Sequence, residues 1–307
     1  MQEVKKAKIN NKIRSTRTDR VVLTVNFILL TGFLIIIAYP LLYVILASFS
    51  GGGSVLSLNI IPERWTLAGY RAVRDKEIFW VSFRNSIFYT AVATVLSVSV
   101  TMLCAYPLSC PYFKGRKFIM VLCTVTMYFG GGLIPTYLNI TNLHLVDTVW
   151  AITLPGAMSV YNMIVMRTFF SNTIPGELRE AADLDGCGDF RYFISIVIPL
   201  SGAIIAVISL FVAVGSWNDY FNPMLYLNTR SKAALPVILR ELLVVNVTGE
   251  ANNAVTAENM EHLFEIMEQA NLIKYSVIVV ASLPVMIIYP FVQKFFVKGV
   301  TLGSVKG

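Results

Sequence analysis

Charge is scarce in this chain, and it is missing where it would matter most. Only 14% of the 307 residues are Asp, Glu, Lys or Arg, against roughly a quarter in an average soluble domain. Six apolar stretches, at about 21–48, 86–109, 118–138, 149–170, 193–217 and 275–296, carry none of them in their central portions. One such charge at a helix centre costs roughly 2.5–3.5 kcal/mol on insertion scales, so these runs read as membrane spans. The same absence argues against a proton or sodium relay, which needs intramembrane carboxylates. Histidine is reduced to His144 and His262, both far in sequence from the cysteines, so no metal site is expected. The four cysteines, Cys104, Cys110, Cys123 and Cys187, fall in spans or in loops on one predicted side, which excludes a disulfide framework. No G-x-x-x-x-G-K-[ST], H-E-x-x-H or G-x-S-x-G occurs, so neither ATP hydrolysis nor hydrolase chemistry is expected of the chain. It is not expected to be an enzyme or to hold a cofactor.

What charge there is has a sidedness. The formal net charge is +7, and Lys5, Lys6, Lys8, Lys12, Arg14, Arg17 and Arg20 all precede or open the first span. No aromatic residue interleaves with them, which argues against a base-stacking surface and hence against nucleic acid. With six spans both termini share a side, and that side holds 16 of the 25 Lys and Arg. The excess predicts N-in and C-in. Trp80, Trp150 and Trp217 then sit at outer ends of spans, where an interfacial belt is expected. Prolines punctuate most spans, and Gly130-Gly131-Gly132 before Pro135 interrupts the third. That triplet is read two ways, as loosened backbone beside a solute path or as close helix packing.

Between the fourth and fifth spans lies a short polar segment, Ser171 to Tyr192. Pro175 suits a first helical turn, Glu177 and Glu180 complement its positive end, and Gly186 suits a left-handed stop. About three turns of helix are predicted, lying along the membrane surface. Ala181, Leu184 and the backbone near Gly186 offer an apolar contact there, and Glu180, Asp183 and Asp185 offer anions to a cationic partner.

The pattern Glu180-Ala181-Ala182, three residues, Gly186, nine residues, then Ile196-Val197-Ile198-Pro199 resembles the coupling motif of membrane subunits of bacterial ABC importers. Ile198 stands where that family more often has Leu. The resemblance runs from about Arg20 to Gly307 and is nearest the carbohydrate branch. It is similar there to the maltose second permease and to permeases for aldouronate and complex oligosaccharides. Phe129 to Tyr137, Ser216 to Pro223 and the terminal Lys298 to Gly307 carry that finer likeness.

The resemblance implies an all-α integral membrane protein. Residues 1–20 would form a basic cytoplasmic tail, 21–298 a six-span permease domain and 299–307 a second tail. Within the domain lie a coupling segment at 171–192 and a long outer loop at 218–274. It further implies that Glu180, Ala181, Ala182, Asp183, Leu184 and Gly186 fit a cleft on an ATPase subunit. Two such ATPases, holding the ATP and Mg, a second permease and an extracellular solute-binding protein would complete the importer. Arg240, Glu241, Val245 and Gly249 would reach toward the binding protein. Trp217, Asn218 and Asp219 combine an aromatic face with an amide and a carboxylate, as sugar contact requires, or else form an interfacial anchor and helix cap. Tyr128, Gly131, Tyr161 and Asn162 join them as pathway residues, although a buried Asn also serves as an interhelical bond. Glu258 to Gln269 has Met260, Leu263, Phe264 and Met267 at helical spacing. The expected function is half of an oligosaccharide pathway. Alternatives are an importer permease for a non-sugar solute, a self-contained secondary transporter, or a non-transport scaffold.

Overall fold

The computed structural model describes residues 16–50, 64–245, 273–290 and 293. Among them the chain is helical, and its single β-type pairing is an isolated bridge between Ser50 and Trp65. Three helices are long and apolar enough to cross a membrane: α1 (Arg17–Ala47), α3 (Glu77–Ser109) and the last described helix, Ile273–Pro290. Between α1 and α3 lies the short α2 (Ala68–Arg74).

The central helix is α3. At 1.5 Å per residue its 33 residues reach about 50 Å, well beyond a 30 Å hydrocarbon core. The sequence places the start of this span at 86, whereas the helix begins at Glu77. The extra turns form because Phe79, Trp80 and Phe83 pack on one another, with Phe79 fully buried. Toward the other end α3 buries Ser97, Val98, Thr101, Ala105 and Leu108. Small residues on that face let α7 (Val160–Thr173) and α11 (Gly202–Trp217) lie close, and these are its main neighbours.

Three of the expected spans are not continuous helices. The stretch 118–138 divides into α4 (Arg116–Tyr128) and α5 (Leu133–Asn142), bent by 110°. The break falls on Gly130-Gly131-Gly132, where Gly132 has φ +87, a conformation that side-chain-bearing residues rarely adopt. The stretch 149–170 divides into α6 (Val149–Thr153) and α7, because Pro155 and Gly156 interrupt it. The fifth expected span is also bent, by 79°, between Asp189–Leu200 and α11. It opens as α9 (Asp189–Tyr192), widens into a π-helical turn at Phe193–Val197, and ends its first part as α10 (Ile198–Leu200). Pro199 lacks the N–H that would tie this turn to the preceding one.

In contrast, α1 is apolar on every side and has no buried residue in its most apolar window. Lipid is the solvent this composition fits. Among the described residues it meets the bundle near its end: Tyr43 meets Tyr275 edge-on at 6.0 Å, and Ser276 Oγ donates to the Ser48 carbonyl at 3.3 Å.

The opposite face is tied by polar contacts. Beyond α11 come α12 (Phe221–Tyr226) and α13 (Leu235–Arg240), and the loop between them docks on α3. Asn85 Nδ2 donates to the Ser231 and Ala233 carbonyls, Tyr89 OH to the Lys232 carbonyl, and Leu235 N–H to Ser86 Oγ at 2.7 Å. Asp147, in the α5–α6 loop with φ +62, accepts from the Asn228 and Thr229 amides, Thr229 Oγ1 and Lys232 Nζ. The bonds from Lys232 and Thr229 hold its carboxyl well below the usual carboxylate range.

Candidate functional site

The polar segment between α7 and α9 forms α8, Gly176–Leu184. Pro175 precedes it in an extended conformation, and Glu177 sits in the first turn, where the helix dipole favours an anion. Its end is closed by a Schellman arrangement. The Cys187 N–H donates to the Ala182 carbonyl at 2.8 Å and the Gly186 N–H to the Asp183 carbonyl at 3.1 Å. Gly186 makes this possible by taking φ +70.

The two sides of α8 differ. Ala182 is buried in the core formed with Leu108, Phe170, Tyr192 and Val197. Its methyl is small enough to let the helix lie against the bundle. Glu180, Ala181, Leu184, Asp185 and Gly186 point away and are exposed. Leu184 is 90% exposed, and Phe190 beyond the turn is 70% exposed. Of the residues expected to fit an ATPase cleft, Ala182 is the one whose side chain seats the helix on its own chain.

Asp183, exposed on the same helix, is paired within the chain. Arg179 Nη2 lies 2.7 Å from Asp183 Oδ1, and Nε donates to Oδ2 at 3.1 Å, a two-pronged pairing one turn apart. Arg179 Nη1 lies 2.7 Å from Asp189 Oδ1, in the next helix. The guanidinium is also sandwiched between Tyr112, 5.5 Å away, and Tyr192, 5.1 Å away. Tyr112 OH donates in turn to Asp189 Oδ1 at 2.8 Å. Burial and that carboxylate push the Tyr112 hydroxyl pKa far up, so it stays a donor. One side chain thus locks α8 to the α3–α4 loop and to α9. The sequence does carry the Arg179–Asp183 spacing, but nothing in it announces Tyr112, about seventy residues upstream.

The residues expected along a solute path are not gathered in one place. Tyr128, Gly131 and Tyr161 are exposed, the first two at the α4–α5 break. Asn162 is partly buried, and its backbone N–H is capped by Ser159 Oγ at 3.4 Å. Trp217 is buried, edge-on to Phe83 at 5.7 Å, so in this conformation it is a core residue and not an interfacial ring. Asn218 Nδ2 donates to the Val214 carbonyl and closes α11, while Asp219 accepts from the amide and side chain of Asn222. On the same face Arg240 covers the Tyr220 ring at 5.1 Å and bonds its hydroxyl, and Glu241 accepts from Arg230 at 3.2 Å. Val245 ends a π-helical turn, Glu241–Val245. Gly249, the amphipathic stretch Glu258 to Gln269, the basic residues of the first fifteen and the 299–307 tail lie outside the described residues. Among the described residues no His, Cys, Asp or Glu cluster could hold a metal ion.

No protein-family model matches the chain. Individual relatives do. The polygalacturonan/rhamnogalacturonan transport system permease protein YtcP of Bacillus subtilis is 41% identical over 285 residues, 91% of this chain and 97% of its own. Protein LplC of the same organism is 38% identical over 297 residues, 96% of this chain and 98% of its own. Among solved structures, a bacterial ABC transporter involved in the import of the acidic polysaccharide alginate superposes with a TM-score of 0.80. It is 32% identical and covers 92% of this chain and 99% of its own. At that identity and coverage, with the bent spans and the surface helix α8 in place, the chain belongs to the family of carbohydrate ABC-transporter permeases, integral membrane subunits of bacterial importers.

Proposed function

We propose that this permease forms half of the pathway of an oligosaccharide importer and is driven through α8 by a separate ATPase. The observation that carries the reading is the outward face of α8. A leucine that is 90% exposed on a short polar helix, flanked by Ala181 and Glu180 and fixed from behind by Ala182 and Arg179, is an unfinished contact. Lipid does not complete it, because Glu180 one turn before Leu184 and Glu177 two turns before share that side of the helix and would have to enter lipid with it. A protein cleft with an apolar floor and a cationic rim would.

Six crossings follow if each broken stretch is one span: α1, α3, α4–α5, α6–α7, α9–α11 and Ile273–Pro290. The Lys and Arg excess sets N-in and C-in, placing α8 in the cytoplasm and the Asp147 clasp outside. A second, similar permease completes the pathway, two ATPase subunits holding ATP and Mg sit below, and a solute-binding protein delivers the sugar from outside. Closure of the ATPase pair draws the two α8 helices together. Arg179 passes that movement to the α3–α4 loop and α9, and the π-turn and Ser201 break are where the fifth span yields. The permease is then a two-state element biased by its partners.

Tyr128, Gly131, Tyr161, Asn162, Asn218 and Asp219 serve as pathway residues, and Arg240, Glu241, Val245 and Gly249 face the binding protein. The names of YtcP and of the alginate importer make oligosaccharides of uronic acids the first substrates to test. The test is uptake of labelled oligogalacturonides and alginate fragments by cells carrying the complete importer. Wild type accumulates one of them, and Glu180→Lys inserts normally but accumulates none. Undiminished uptake by Glu180→Lys would refute the assignment of α8.

A further inference from the structure

Beside α8, where α3 and α7 end and α4 begins, a cavity of about 360 Å³ opens. Arg116, Arg167 and Arg179 line it, and no aspartate or glutamate does. Arg179 is already neutralised by Asp183 and Asp189. The other two are not. Neither Arg116 nor Arg167 has an acidic partner among the described residues, and both are partly withdrawn from solvent. Arg167 Nε donates to the Leu108 carbonyl at 2.9 Å, which fixes the side chain and leaves the rest of its N–H donors for a ligand. Gly176 also lines the cavity, so the amino end of α8 adds its partial positive charge.

Two half-buried guanidinium groups facing one cavity without a counter-charge are unfavourable until an anion joins them. The planar fork of arginine matches phosphate oxygens in pairs. We propose that this cavity is a binding site for a phosphate-bearing anion, held between Arg116 and Arg167. The site lies where spans end, so an anionic phospholipid headgroup is one source, and a soluble phosphate ester is the other. Because Gly176 and Arg179 line the same cavity, a bound anion braces α8 against the bundle. The site is a property of this chain alone, so it stands or falls separately from docking of an ATPase.

The test uses the purified full chain in a neutral detergent. Thermal melting and native mass spectrometry are followed while short-chain phosphatidylglycerol, phosphatidylcholine or glycerol phosphate is added. Arg116→Gln, Arg167→Gln and the double variant are compared with Arg74→Gln, which removes a well-exposed arginine elsewhere. Saturable binding of phosphatidylglycerol over phosphatidylcholine supports a lipid headgroup site. It should weaken about fivefold in each single variant and roughly thirtyfold in the double, and hold in Arg74→Gln. The same pattern with glycerol phosphate supports a soluble ester. No saturable binding of either probe, or equal weakening in Arg74→Gln, overturns the proposal. Arg116→Gln, in the first turn of α4 and outside the buried core, keeps the test open if Arg167 variants fail to fold.

Discussion

At Arg179 a single side chain makes contacts that a coupling motif defined by Glu180-Ala181-Ala182 does not mention. It pairs with Asp183 and Asp189 and stacks between Tyr112 and Tyr192, so three segments of chain share one guanidinium. Arg179→Gln leaves two carboxylates without their cation, while Arg179→Lys keeps charge but loses the planar stacking and the fork. Uptake is expected to fall in both, more in Gln than in Lys, with membrane insertion unchanged on a protease-protection assay. Gly186→Ala tests the end of the same helix. Its φ of +70 strains any side-chain-bearing residue, at a cost of roughly 1–2 kcal/mol, and should appear as a lower thermal midpoint. Space around Gly186 is open, so a normal midpoint would mean that the turn relaxes to negative φ.

At the scale of elements, α8 is held close to the bundle because residue 182 is alanine. Ala182→Leu forces a larger side chain against Leu108, Phe170 and Tyr192, and overpacking of this kind costs roughly 1–3 kcal/mol. It should lift α8 and impair uptake as well as stability, measured by melting and transport on the same preparation. On the other face, Asp147 clasps the α12–α13 loop. Its folded pKa is depressed, so the clasp contributes fully above the unfolded carboxylate value of about 3.9 and is lost as pH falls through the lower folded value. Melting of the wild type should therefore drop in acid, and Asp147→Asn should start lower and show a shallower drop. Helix type and the polar segment were legible because their signals are local: apolar runs, Pro175, Gly186, the motif spacing. The 110° bend was only half legible. Gly130 to Gly132 mark it, but glycines alone do not say whether a helix packs tightly or turns. Neither Asp147 with Lys232 nor Tyr112 with Arg179 has a sequence signature, since each joins segments far apart in the chain. Trp217 reads as an interfacial ring by position and is a core residue by contact with Phe83.

For the molecule as a whole, the bundle is incomplete in two directions. Along its length α1 faces outward with apolar side chains, and at one end α8 offers Leu184, Ala181 and Glu180. The first surface suits lipid by its composition, and the second is the one proposed above to dock an ATPase. The most direct test of the central claim is recovery of partners on tagged chain from gently solubilised native membranes, comparing wild type with Leu184→Asp. The account predicts that an ATPase with a phosphate-binding loop accompanies wild type and is lost or strongly reduced with Leu184→Asp, while a second permease accompanies both. Equal recovery of the ATPase with the two proteins, or no ATPase with either, would contradict it.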